Sequence, residues 1–82
     1  MDQLTRDTGF AAYLMTVEPR TFLGIQSVDG RRCFFGFDLS KDQFKQHLQD
    51  YNNGTGQAPA RELFGNEKAL LRLIHMELEQ HA

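Results

Sequence analysis

The chain predicts an α+β fold in the order helix, two-stranded antiparallel hairpin, helix, helix (αββαα), and two observations carry that expectation. Between Phe22 and Asp38 the sequence reads FLGIQSV, then Asp29-Gly30, then RRCFFGFD: two apolar runs joined by a strong two-residue hairpin signal. The flanking segments repeat apolar residues at helical spacing and carry helix start and stop residues. At 82 residues the chain is read as one domain over 1–82, with a core built from seven Phe and a Leu-rich C-terminal segment.

Residues 1–6 are expected to be loose. Asp7 can cap a first helix, because its carboxylate accepts the orphan N–H groups of the opening turn, and Phe10, Ala11, Leu14 and Val17 then share one face. Glu18-Pro19 ends that helix, since proline disfavours helical geometry in the residue before it. In the hairpin, a type I′ turn at Asp29-Gly30 sets Val28 opposite Arg31. The same register pairs Gln26 with Cys33, Gly24 with Phe35 and Phe22 with Phe37 on one face. The other face pairs Ser27 with Arg32, Ile25 with Phe34 and Leu23 with Gly36. Both faces are apolar away from the turn.

Ser40 and Gln43 form a capping box for the second helix, with Leu39 and Phe44 as a hydrophobic staple. Phe44, Leu48 and Tyr51 share its inner face, and Asn52-Asn53-Gly54 stops it. The third helix is expected from about Pro59 to Gln80, with Ala60, Leu63, Phe64, Leu70, Leu71, Ile74 and Leu78 as a broad apolar stripe. Gly65-Asn66 either continues that helix at a cost of about 1 kcal/mol for the glycine, or divides it with Asn66 as a cap. One helix, with room for a kink, is the favoured reading.

Several motifs, in order, resemble a small family of bacterial and phage proteins known only as a domain of unknown function. They are TRDTGFAAYL at Thr5 to Leu14, DGRRCFFGF at Asp29 to Phe37, DYNNG at Asp50 to Gly54 and ARELF at Ala60 to Phe64. The resemblance implies a compact cytosolic α+β domain linked to phage or mobile elements. It implies no activity and carries over no catalytic residue.

Cys33 is the only cysteine, so no disulfide within the chain is expected. The N-terminus does not read as a signal peptide and no apolar run reaches membrane-spanning length, which places the protein in the cytoplasm. A net charge of −2 argues against broad polyanion binding.

Chemistry finds little support. His75 and Glu79 fall four apart on a helix, but a zinc site needs three or four donors, and Cys33, His47 and His81 come at unrelated spacings. Cys33 lies mid-strand beside Phe34 and Phe35, where a thiol is an inert core residue rather than a nucleophile for His47 or His75. Glu77 and Glu79 project to different faces, and Asp38 and Asp42 suit a helix start. NNGTGQAP lacks the Lys and Ser/Thr of a phosphate loop. No catalytic, metal or cofactor residue is assigned, and no enzymatic activity is expected.

Two binding readings remain. Either the first helix and the long helix sandwich the hairpin and cover both faces, or the helices cover only the Phe22, Phe35 and Phe37 face and Leu23, Ile25 and Phe34 form an apolar patch for a protein partner or a second copy in a homodimer. The alternative is nucleic-acid contact through Arg20, Arg31, Arg32 and Phe34, phosphate ligands beside a stacking ring.

Overall fold

The computed structural model describes residues 2–80, which fold into a three-stranded antiparallel sheet and three α-helices. Strand β1 covers Gln3–Thr5, helix α1 Thr8–Val17, strand β2 Phe22–Asp29, strand β3 Arg32–Phe37, helix α2 Lys41–Asn53 and helix α3 Ala60–Gln80. A 3₁₀ turn at Pro19–Thr21 links α1 to β2.

The N-terminal segment departs from expectation. Met1 lies outside the described residues, but Gln3–Thr5 are ordered as a strand rather than loose, and the sheet has three strands rather than two. Gln3, Leu4 and Thr5 pair with Phe37, Gly36 and Phe35, so β3 becomes the central strand. The cause is the second edge of β3, whose backbone groups need partners that β2 alone cannot supply. Three residues are too short to announce themselves by alternation.

The hairpin forms, with its turn one residue later. Asp29 pairs with Arg32, which leaves Gly30 and Arg31 as the loop. Gly30 has φ +63° and among the described residues none other than glycine has positive φ, so only the first central position is left-handed, as in a type II′ turn. Two bulges on β2 then correct the register. Extra residues between Ile25 and Ser27 and between Phe22 and Gly24 each slip the pairing by one, so that Phe22 still ends opposite Phe37. In between, Val28 faces Cys33, Ile25 faces Phe35 and Gly24 faces Gly36. Gly24 accommodates the second bulge with φ +83°.

Helix α1 begins where its cap predicts, with the Asp7 carboxylate accepting from Phe10 N at 3.1 Å. Its five consecutive residues Phe10 to Leu14 are all buried. Five residues span more than one helical turn, so α1 is enclosed on every side rather than along one face. It lies between the sheet and the other two helices. Phe35 and Phe37 reach it from β3, and Leu70 reaches it from α3. Ala11 and Ala12 allow the close approach this enclosure demands.

Helix α2 carries the expected capping box, with Ser40 and Gln43 each accepting from the other's backbone N–H at 3.1 Å. Left-handed Gly54 closes it. Helix α3 runs unbroken through Gly65-Asn66. Asn66 Nδ2 instead donates to Thr16 Oγ1 at 2.9 Å, joining α3 to α1, while Thr16 Oγ1 donates to Ala12 O at 2.8 Å.

Candidate interaction surface

Alternation along β3 divides its side chains cleanly. Cys33, Phe35 and Phe37 point into the molecule and are buried. Phe22 and Ile25 pack against the same core. Arg32, Phe34 and Gly36 take the opposite face, and Leu4 joins them because it pairs with Gly36. Phe34, Leu4 and Leu23 belong neither to the core nor to the side chains packed on it. The helices therefore cover one face of the sheet and leave the other without a helix.

The expected trio is thus divided. Leu23 is 40 % exposed and Phe34 is half-buried on the helix-free side, but Ile25 is in register with Phe35 and faces the core. The bulge at Gln26 is the physical reason, because one extra residue turns every following side chain to the other face. Gln26 itself lies over Gly36, where any β-carbon would collide with its side chain, and its amide donates to Leu23 O at 2.7 Å. The face that results carries Leu4, Phe34 and the Gln26 stem, with Ser27 and Arg32 toward the turn.

Arg20, Arg31 and Arg32 are all exposed, Arg20 in the 3₁₀ turn, Arg31 in the hairpin loop and Arg32 at the start of β3. Only Arg32 shares the alternation of Phe34.

A second apolar surface lies on α3. Helix α1 meets α3 along Leu63, Asn66, Leu70 and Ile74. The apolar stripe of α3 spans about 120° of the helix, and one neighbour covers only part of so broad a stripe. Phe64 is consequently 62 % exposed and Leu71 52 % exposed, and with Glu67 and Lys68 they line an open groove. Met76 is exposed as well, but about 130° further round the helix. Phe64 and Leu71 read as part of the apolar stripe in the sequence. The width of the stripe was the signal that part of it would stay outside.

The residues weighed for chemistry stand apart. Cys33 is buried, its thiol pushed up from the ordinary value by burial and then by the charge of Glu77, and no hydrogen bond joins it to His47 or His75. His47 packs edge-on against Tyr13, with Nε2 3.7 Å from Glu18 Oε1 and a buried Nδ1 that has no hydrogen-bond partner. His75 and Glu79 meet each other at 3.2 Å on the exposed surface of α3. Among the described residues no three His, Cys, Asp or Glu side chains gather as metal donors, and His81 lies outside those residues. Among the same residues no helix is long and apolar enough to cross a membrane.

Comparison of the chain with protein-family models, with curated proteins and with solved structures finds no match to any of them.

Proposed function

We propose that the protein is a non-catalytic module that works by protein–protein contact, most simply with a second copy of itself. One observation carries this reading. Large apolar side chains stand in water on two surfaces, Leu4 and Leu23 on the sheet and Phe64 and Leu71 on α3, while the core is complete without them. Phe64 and Leu71 adjoin in one groove, and adjoining exposed apolar side chains mark interaction sites. The protonated, enclosed thiol of Cys33 and the mutually paired His75 and Glu79 offer no competing chemistry. A role in phage or mobile elements, in the cytoplasm, follows from the motif resemblance.

Sedimentation velocity across the micromolar range tests the proposal. A reversible monomer–dimer equilibrium is expected, and a monomer at every concentration would overturn self-association.

One observation favours a second reading. Phe34 and Arg32 share the helix-free face of the central strand, with Arg31 in the adjoining loop, the pairing of stacking ring and phosphate ligand that single-stranded nucleic acids use. The net charge of −2 opposes it. Salt-sensitive binding of a labelled single-stranded oligonucleotide, lost in an Arg31→Ala, Arg32→Ala double variant, would establish this reading over the first.

A further inference from the structure

We propose that α3 is the dimerisation element: its Phe64–Leu71 groove takes the same groove of a second copy, with the two helices parallel. This deepens the self-association reading and rests on it. Phe64 and Leu71 are seven residues apart, two turns or about 10 Å along the helix, and both side chains are more than half exposed. A seven-residue spacing returns to the same face, which is what a helix needs in order to pair along its length.

The charges choose both the occupant and its direction. At about 100° per residue, Glu67 and Lys68 lie about 50° to either side of the Phe64–Leu71 line. The groove therefore has one acidic and one basic wall. Among the described residues neither Glu67 nor Lys68 has an ion-pair partner.

A two-fold axis parallel to the helices sets the Glu67 wall of one copy against the Lys68 wall of the other on both sides of the seam. An antiparallel pair would instead set Glu67 against Glu67 and Lys68 against Lys68. Only the parallel arrangement buries the rings and satisfies the flanks together, and a second copy supplies both without any other partner. The seam lies about 110° around α3 from Leu70, clear of the contact with α1.

Surface variants, sedimentation velocity and disulfide cross-linking test this. Phe64→Glu should convert the dimer to monomer with an unchanged melting curve, because the replaced ring lies outside the core. Lys68→Glu, which sets like charges across the seam, should weaken the dimer at least tenfold at low salt. Leu71→Cys in a Cys33→Ser background should form a disulfide-linked dimer on mild oxidation, since the parallel two-fold places residue 71 against its own copy. In an antiparallel pair centred on the groove the two copies of residue 71 would be about 10 Å apart, beyond the reach of a disulfide. A dimer that survives Phe64→Glu but dissociates with Phe34→Glu overturns the α3 seam and leaves self-association through the sheet. Cross-linking of Phe64→Cys with Leu71→Cys, but never of Leu71→Cys with itself, overturns the parallel direction. A wild-type monomer at all concentrations overturns both this inference and the reading beneath it.

Discussion

Phe35 is fully buried, at the centre of the middle strand and beneath the enclosed helix α1. Truncation there leaves a cavity that neither the sheet nor α1 can close, so Phe35→Ala should cost about 3 to 5 kcal/mol, comparable to the whole stability of many small domains. Urea unfolding measures it, and a variant as stable as the parent would contradict this packing. Three groups near the core resist ionisation. Burial pushes up Cys33, Tyr13 and Tyr51, with Glu77 adding to the first, Asp50 to the second, and Asp7 and Glu67 to the third. The folded protein thus holds these protons to higher pH than the unfolded chain does. Their stabilisation is complete below the ordinary values of about 8.5 for a thiol and about 10 for a phenol, and it disappears as pH rises through the higher folded values. Urea midpoints should fall on the alkaline side, and Cys33 should react slowly with thiol reagents in the native state. Rapid native labelling would show the thiol to be accessible.

At the scale of elements, β2 decides what the sheet presents. Its bulge at Gln26 turns Ile25 inward and leaves Phe34 on the helix-free side. Ile25→Glu should therefore destabilise the monomer by roughly 2 kcal/mol, lowering its melting temperature by about 10 °C, because a charge enters the packed side of the sheet. Phe34→Glu should leave the melting temperature within a few degrees of the parent. Equal losses from both would place the two side chains in one environment and contradict the register. The helices were legible because their signals are local: Asp7, Ser40 with Gln43, and Gly54 act within one turn of the chain. The hairpin was legible as an element, but its bulges were not, since Leu23 and Gln26 depart from the ladder to suit sheet twist and the cover over Gly36. Strand β1 was hidden for the opposite reason. Its partner β3 lies some thirty residues away, and nothing within Gln3–Thr5 itself specifies a strand.

Across the whole molecule, α1 is the hub, with the sheet on one side and α2 and α3 on the other. That placement explains both the completeness of the core and the surface it leaves over. A ten-residue helix can be surrounded, but its neighbours then keep their outer faces, so the broad stripe of α3 and the second face of the sheet remain in water. The sequence showed Phe64 and Leu71 to be apolar and on a helix; that they lie outside depended on how much of α3 a helix as short as α1 could cover. On our proposal this leftover surface joins copies of the protein. Sedimentation velocity of the wild-type chain beside Phe64→Glu tests it most directly. A concentration-dependent dimer that becomes a folded monomer in Phe64→Glu is the predicted result; a wild-type chain that sediments as a monomer throughout the micromolar range would contradict it.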